Sequence, residues 1–249
     1  MIDVAMRGGI AVVTMQHGKA NALDIEFCET LAAKFKSLRD EAEAVVLTGQ
    51  GTIFSAGVDL KRVGAGGSEY IRKFLPSLHK LFDAAFFHPK PVVAAINGHA
   101  IAGGAVLVAC ADRRIMAHEA GRIGVTELQV GVPFPVLAFE ILRFALPPRS
   151  LPEFTLGAAT YATDVALTRG WVDAVVEPER LLPDAIEAAR QMAALSPSAF
   201  TQTKAQLRAL AAEKYAAGGQ ATDMLVTEIW CAPEALGRIR DYVARTLRK

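Results

Sequence analysis

The chain has 249 residues, of which 52% are hydrophobic, 7% aromatic and 21% charged, and its net charge is +1. This length and aliphatic content allow a substantial core, in one large domain or in a domain with an appendage. The near-neutral charge gives no reason to expect nucleic acid or an anionic membrane as a partner. The cysteines Cys28, Cys110 and Cys231 form no metal-binding spacing, so we expect a reducing compartment.

The N-terminal residues lack the basic start and long apolar run of a signal peptide, so the expected location is cytoplasmic. The stretch 91–111 is uncharged and mostly apolar, and hydropathy alone would assign it to a membrane. Asn97 and several glycines interrupt this stretch, however. We therefore predict a buried strand at 92–96, a turn, and a helix from about 103 to 111, with no membrane span.

In chain order, the apolar spacing predicts strands that alternate with helices. Asp24 is a candidate N-cap for the first helix, and Pro76 is expected to kink the second. Strands followed by helices favour a layered α/β core. The predicted strands are 10–15, 44–47, 113–117 and 172–176 together with 92–96, and the predicted helices include 23–38 and 68–87.

The pattern changes after about Leu181, because no strand-like run remains and amphipathic segments continue to the end. Pro197 and Pro233 are placed as helix starts. The tail is therefore predicted to be a helical appendage. Its apolar residues are expected to form an exposed stripe that packs against another surface, for which another subunit is a candidate. They include Met224, Leu225, Ile229 and Trp230.

Two apolar runs each end in a glycine-rich turn, the first at Gly57-Val58 and the second at Gly103-Gly104. Two such turns can bring two backbone N–H groups to one point. Convergent donors of this kind form an oxyanion hole, which stabilises a carbonyl oxygen as it gains negative charge. Glu127, further along the chain, could supply a base. The combination suggests carbanion chemistry beside a carbonyl, although each turn alone could serve only close packing.

Several enzyme classes lack their motifs in this sequence. The glycines at 98 and 104 are not followed by Lys and Ser or Thr, so they form no phosphate-binding P-loop. No serine lies in a GxSxG nucleophile elbow. The five histidines show no metal-binding pairing, and no metal site is predicted.

Taken together, segments spread over nearly the whole chain resemble the crotonase family, also called the enoyl-CoA hydratase/isomerase superfamily. The resemblance implies an α/β fold, a crotonase-like spiral of ββα repeats at residues 1–190 that holds an acyl-CoA site. It also implies a C-terminal helical trimerisation region at 191–249 and a homotrimer or hexamer. The matching segments are 19–23, 54–60, 95–104, 111–112, 123–127 and 166–176.

The resemblance also assigns a site. It places the oxyanion-hole donors on the backbone N–H groups of Val58 and Gly103 and the base on Glu127. The substrate is expected to be a coenzyme A thioester, with no separate cofactor. Its coenzyme A contacts would fall near Lys19, Ala20, Ala56, Val58 and Leu60. Candidate phosphate partners are Lys61, Arg62, Arg238, Arg240, Arg245, Arg248 and Lys249, all of which could equally be solvated surface charges.

Departures from the family pattern bear on the reaction. Hydratases of the family use two glutamates; one position matches Glu127, and the other matches Val106. The segment 131–135 looks like that of the family's Δ3,Δ2-enoyl-CoA isomerases, which retain one glutamate. Glu127 would then move a proton from C2 to C4 of a 3-enoyl thioester. Burial beside Val106, Leu128 and Phe134 is expected to raise the pKa of Glu127.

Other readings of the sequence stay open. The chain could be a hydratase or catalyse another crotonase reaction, such as thioester hydrolysis or dehalogenation, with a second acid that the sequence does not reveal. It could also be a non-catalytic acyl-CoA binding protein on the same scaffold. Turnover of 3-enoyl and 2-enoyl thioesters separates these possibilities.

Overall fold

The computed structural model of the chain describes residues 1–246 and shows two sheets with helices packed around them. The strands are β1 (Ile2–Arg7), β2 (Ile10–Met15), β3 (Ala44–Gly49), β4 (Ile53–Ser55), β5 (Val92–Ile96), β6 (His99–Ile101), β7 (Arg113–Ala117), β8 (Arg122–Gly124), β9 (Tyr161–Ala162) and β10 (Ala174–Val176). The helices are α1 (Ile25–Glu41), α2 (Leu60–Phe86), α3 (Gly103–Ala109), α4 (Val136–Ala145), α5 (Leu151–Leu156), α6 (Thr163–Arg169), α7 (Leu181–Ala193), α8 (Pro197–Lys214), α9 (Gln220–Cys231) and α10 (Pro233–Thr246).

The chain winds as a spiral with a repeated unit. The first sheet has the strand order β1-β2-β3-β5-β7-β10, and the second has the order β4-β6-β8-β9. Strands β3, β5 and β7 are parallel neighbours in the first sheet, and β4, β6 and β8 are parallel neighbours in the second. A helix follows each successive pair, namely α2, α3 and α4. Each turn thus contributes one strand to each sheet and then a helix, which is the ββα repeat that the sequence predicted.

Helix α1 forms as its apolar spacing predicts. Phe27, Leu31, Phe35 and Leu38 are all buried and lie on one face. Asp24 is the N-cap, and its side chain accepts a hydrogen bond of 2.8 Å from the Phe27 amide. A cap of this kind stabilises a helix by about 1 kcal/mol.

Helix α2 differs from the prediction in its start and in its break. It begins at Leu60, because the Asp59 side chain accepts hydrogen bonds from the amides of Lys61 and Arg62. The prediction of a kink at Pro76 is wrong: the non-helical residue is Gly67, with φ of 56° and ψ of −149°. Glycine reaches this conformation at low cost, since it has no Cβ. The break therefore lies in the glycine-rich segment between Leu60 and the predicted start at residue 68. Because this segment is rich in glycine, the sequence did not predict that the helix begins before it.

Helices α7 to α10 follow the last strand, as predicted. Leu181, Ala185 and Ala189 of α7 form a buried cluster with Val46 and Val93 of the first sheet. The predicted boundary between residues 190 and 191 falls within α7 and stays a prediction. Among residues 1–246, no helix combines the length and the apolar character that a membrane span needs.

The predicted apolar stripe of the tail is only partly exposed. Met224, Leu225 and Ile229 of α9 are 65%, 57% and 40% exposed. Trp230 is 2% exposed, so its assignment to that stripe was wrong. The indole faces inward, and its Nε1 donates a hydrogen bond of 2.9 Å to the carbonyl oxygen of Pro133. The tail therefore packs against the core of its own chain through this residue.

Candidate active site

A cavity of about 470 Å³ lies where the two glycine turns meet the C-terminal helices. Gly103 is buried next to Ala102, which lines the cavity. The structure therefore brings the predicted site residues together in one place. Those that line the cavity directly are Lys19, Ala20, Ala56, Val58, Leu60 and Glu127.

The loop before α1 is fixed to the first glycine turn by hydrogen bonds. The Asn21 side-chain amide donates to the carbonyl oxygen of Phe54 at 3.1 Å, and the Ser55 hydroxyl donates to the carbonyl oxygen of Asn21 at 2.8 Å. The Ala56 amide donates to the Ala20 carbonyl oxygen at 2.9 Å. Asn21 has φ of 47°, a conformation that Asn tolerates better than most residues. These bonds hold Lys19, Ala20 and Ala56 on the same wall.

The two glycine turns are in contact, and both need glycine. A Cβ added at Gly57, where φ is 78°, would lie 2.5 Å from the Ile101 carbonyl oxygen and 3.1 Å from the Gly103 nitrogen. A Cβ added at Gly104 would lie 2.5 Å from the Ser55 carbonyl oxygen. Any larger side chain would separate the two turns. Close approach of the two backbones is therefore built into the sequence at these positions.

The amides of Val58 and Gly103 are free donors. Val58 pairs with Leu23 in a parallel bridge, in which the Leu23 amide donates to Gly57 and the Asp59 amide donates to Leu23. Because backbone groups alternate in direction along an extended chain, the Val58 N–H points away from Leu23. Gly103 opens α3, where an N–H has no partner within the helix. Within the described part of the chain, neither amide has a protein acceptor.

Ala102 holds the second turn in a strained conformation. Its φ is 52° and its ψ is −125°, which costs a residue with a Cβ about 1–3 kcal/mol. The strain is held by neighbouring bonds, because the Ala102 amide donates to Gly124 and its carbonyl oxygen accepts from Ala105 and Val106. No turn residue in the sequence indicates this conformation. Strain of this kind clusters at functional sites, and here it sets the direction of the Gly103 amide.

Glu127 begins a short 3-10 helix, Glu127–Val130, and its carboxyl group faces the cavity. The residue is 7% exposed, and its Oε2 has no hydrogen-bond partner within residues 1–246. Burial raises the pKa of Glu127 to about 7, although hydrogen bonds from its own amide and from the Thr126 backbone act in the opposite direction. At neutral pH the group therefore populates both protonation states, as a group that accepts and returns a proton requires.

The surroundings of Glu127 differ from those predicted. Leu128 is 39% exposed, because the 3-10 turn directs it outward. Val106 is buried in α3 and is not among the described residues that line the cavity. The apolar walls that exclude water come instead from Val130, Val132 and Trp230. The predicted rise in the pKa of Glu127 agrees with its burial, but Leu128, one of the residues expected to bury it, is itself exposed.

The mouth of the cavity carries positive charge. Lys61 lines the mouth and also lines an adjoining groove, where Arg240 lies on the opposite side. Arg62 is paired with Glu26 and lies 3.3 Å from Asp24, and Arg238 is paired with Glu234 at 3.1 Å. Lys61 and Arg240 are thus better placed than Arg62 and Arg238 to meet an anionic ligand. The predicted partners Arg248 and Lys249 lie outside the described residues.

Sequence reasoning missed several residues that line the cavity, among them His17, Trp230 and Tyr242. His17 stacks on Phe27 with ring centroids 4.7 Å apart, and its Nε2 lies 2.7 Å from Asp24. Trp230 and Tyr242 reach the cavity from α9 and α10. Nothing in the local sequence marks Trp230 and Tyr242, because their position depends on how the tail docks. The only sequence signal for Trp230 was the helical period of the tail, and it predicted an exposed side chain.

The site therefore combines a buried carboxyl group, two free backbone donors and a cationic mouth, on a spiral of ββα repeats. These features define the acyl-thioester enzymes built on the crotonase fold. The chain belongs to the enoyl-CoA hydratase/isomerase family, whose family model matches residues 5–232. Members of this family act on coenzyme A thioesters.

Individual relatives carry different activity names. A Thermus thermophilus protein provisionally named as an enoyl-CoA hydratase is 33% identical over 82% of each chain. A structure of an enoyl-CoA isomerase from Mycobacterium tuberculosis is 35% identical, with a TM-score of 0.81 over 88% of this chain and 96% of that one. Human mitochondrial Δ3,Δ2-enoyl-CoA isomerase is 24% identical, with a TM-score of 0.93 over 98% of this chain and 97% of that one, a likeness of fold.

Proposed function

We propose that this protein is a Δ3,Δ2-enoyl-CoA isomerase in which Glu127 is the base. The observation that carries the proposal is the Glu127 carboxyl group: it is buried in the cavity, one of its oxygens is free, and its pKa is about 7. A carboxylate in this state can take a proton from carbon and give it back. Asp59 is the other carboxyl group among the described residues that line the cavity, and it serves as the N-cap of α2.

The proposed reaction moves one proton and two electron pairs. Glu127 takes a proton from C2 of a 3-enoyl thioester, and the electrons of the broken C–H bond delocalise over the double bond and the thioester carbonyl. The amides of Val58 and Gly103 donate hydrogen bonds to the oxygen of this dienolate, a contribution of the size usual for oxyanion holes. Protonated Glu127 then returns the proton at C4. The product is the 2-enoyl thioester, and no other reactant is consumed.

The same cavity would also hold coenzyme A. Its adenine and pantetheine would lie along Lys19, Ala20, Ala56 and Leu60, which line the cavity together with Glu127. Its phosphates would meet Lys61 and Arg240 in the adjoining groove. Lysine and arginine are the side chains that bind phosphate, and those at this mouth are accessible. The proposed step needs no cofactor beyond the coenzyme A of the substrate.

A hydratase is the second candidate, and the name of the Thermus thermophilus relative favours it. Hydration needs a group that activates water as well as one that protonates carbon. Asp59 also lines the cavity, but it lies at the mouth, and its Oδ1 accepts hydrogen bonds from the amides of Lys61 and Arg62. Val106 stands at the position of the second hydratase glutamate. These features favour isomerisation over hydration.

We also propose that the protein forms a homotrimer or a hexamer and works in the cytoplasm. Leu207 and Leu210 of α8 are 63% and 59% exposed, and the exposed side of α9 carries further apolar residues. Patches of this kind mark protein interfaces. Light scattering of the purified protein tests the oligomer, and a monomer would contradict it. Free thiols at Cys28, Cys110 and Cys231 fit a reducing compartment.

The reaction is tested by giving the purified protein a 3-enoyl-CoA and the matching 2-enoyl-CoA in separate assays. We expect efficient conversion of the first to 2-enoyl-CoA and poor addition of water to the second. Glu127→Gln is the control variant, because its amide is nearly the same size and cannot accept the proton. If hydration is at least as efficient as isomerisation, the isomerase proposal is wrong. If neither thioester reacts, both the isomerase and the hydratase proposals are wrong.

A further inference from the structure

A second cavity lies on the same face of α9 as the catalytic cavity. It has a volume of about 260 Å³ and is lined by Leu75, His79, Tyr215 and Val226, among others. Val226 and Trp230 are four residues apart, so they lie one above the other on the helix. Both are buried, at 5% and 2% exposure. Val226 faces the second cavity, whereas Trp230 faces the catalytic one.

The segment before α4 runs along α9 and covers both cavities. At one end the Trp230 Nε1 donates to the Pro133 carbonyl oxygen at 2.9 Å, and at the other the Val136 amide donates to Asp223 at 2.8 Å. Asp223 and Trp230 are separated by about 10 Å along the helix. Val132 of this segment lines the catalytic cavity, and Pro135 lines the second. The two cavities therefore follow one another along a single strip, with the Trp230 indole at the catalytic end.

We propose that Trp230 is the wall that limits the length of the acyl chain, and that it separates the catalytic cavity from the second one. This inference rests on the proposed function, because it concerns the acyl group of the same thioester. The favoured substrates are then straight chains short enough to end at the indole. The hydrogen bond to Pro133 holds the indole in place, so the wall is a fixed part of the fold.

The second cavity has the character of additional room for an acyl chain. Leu75, Pro76 and Val226 give it apolar walls. Its polar lining includes Lys80, Asp223, which accepts from the Val136 amide, and His79, whose ring stacks on Tyr215 with centroids 4.5 Å apart and whose Nδ1 has no hydrogen-bond partner among the described residues. Burial lowers the pKa of His79, so the imidazole is neutral at pH 7. A chain that passed the position of Trp230 would thus meet the apolar walls of this cavity, beside its polar residues.

The test measures how strongly the intact protein binds saturated acyl-CoA thioesters, from butanoyl-CoA to dodecanoyl-CoA, by titration calorimetry. Each added methylene that is covered should strengthen binding by up to about fourfold. In the native protein this gain should stop at a short chain. In Trp230→Ala it should continue for at least one further pair of carbons. Trp230→Phe keeps most of the wall, so its gain should stop close to the native length.

Trp230→Leu is measured in parallel, because it preserves more of the packing if Trp230→Ala does not fold. The proposal is wrong if the gain in binding stops at the same chain length in the native protein and in whichever of these two variants folds. It is also overturned if native binding does not exceed that of free coenzyme A at any chain length. Because saturated thioesters do not react, this result is independent of turnover. A failure of the isomerase proposal would appear only in the assay of 3-enoyl-CoA.

Discussion

Glu127 is a buried carboxyl group and Asp112 a partly buried one, and they differ in their partners. Asp112 Oδ1 accepts from Arg208 Nη2 at 2.6 Å, and its Oδ2 accepts from Lys204 Nζ at 2.5 Å and from the Val92 amide at 2.8 Å. Glu127 has one oxygen with no partner in the described part of the chain. The ion pairs and hydrogen bonds of Asp112 fix the position of its side chain, whereas burial of Glu127 raises its pKa and favours its protonated form. The first suits a structural joint and the second suits proton transfer.

The joint at Asp112 connects the tail to the core. Lys204 and Arg208 belong to α8, while Asp112 directly precedes β7. Burial lowers the pKa of Lys204 to about 8, although Asp112 acts to raise it. The guanidinium carbon of Arg208 also lies 4.3 Å from the centre of the Phe86 ring. A buried cation of this kind is tolerated because its counterion is present, so the joint depends on Asp112.

The largest expected effect is on turnover. Glu127→Gln should reduce the conversion of 3-enoyl-CoA by about 10²–10⁴-fold, because a general base contributes that much. Asp112→Asn should retain most of the turnover per folded molecule, since Asp112 does not line the cavity. Steady-state assays corrected for the folded fraction measure both variants. Equal losses of turnover in the two variants would contradict the assignment of a chemical role to Glu127 and a structural role to Asp112.

The next effect is on stability. Asp112→Ala should lower the free energy of unfolding by about 3–5 kcal/mol, because it leaves Lys204 and Arg208 buried without a counterion. The control is Glu234→Ala, which removes an exposed partner of Arg238 and should change the free energy by less than about 1 kcal/mol. Denaturant titration measures both values. A loss below about 1 kcal/mol for Asp112→Ala would show that the joint does not hold the tail.

A smaller effect concerns pH. The pKa of Glu127 is higher in the folded state, about 7, than its ordinary value of 4.5. Between these values the folded state binds more protons, so this group lowers the free energy of unfolding as pH rises. The loss is complete above pH 7 and amounts to at most about 3 kcal/mol. Glu127→Gln should therefore gain stability relative to the native protein at pH 8 but not at pH 4.5; an equal difference at both would contradict the raised pKa.

The smallest effect is a gain of function. Val106→Glu puts a carboxyl group at the position that the family resemblance assigns to the second hydratase glutamate, and we expect a measurable rise in the hydration of 2-enoyl-CoA. The rise should be small, because Val106 is 1% exposed and a new buried carboxyl group costs stability. Val106→Gln is the matched control, since it adds similar bulk without an acid. Equal hydration by the two variants would show that the added acid plays no part.

The core of the fold was predictable because its signals are local. The period of α1, the cap at Asp24 and the strand runs at β2, β3, β5 and β7 all depend on neighbours in sequence. The two glycine turns were also visible, because only glycine fits where they touch. The strain at Ala102 was not visible, since alanine gives no indication of it. Trp230 and Tyr242 were missed because tail docking, a long-range event, places them in the cavity.

The central claim is that Glu127 alone moves the proton, and the fate of a 3-enoyl-CoA in deuterated water tests it most directly. The native protein should produce a 2-enoyl-CoA, with any incorporated deuterium at the exchanging carbons C2 and C4, as read by mass spectrometry and NMR. Glu127→Gln should produce almost no 2-enoyl-CoA under the same conditions. A 3-hydroxyacyl-CoA as the main product, or unchanged 2-enoyl-CoA formation by Glu127→Gln, would contradict the account.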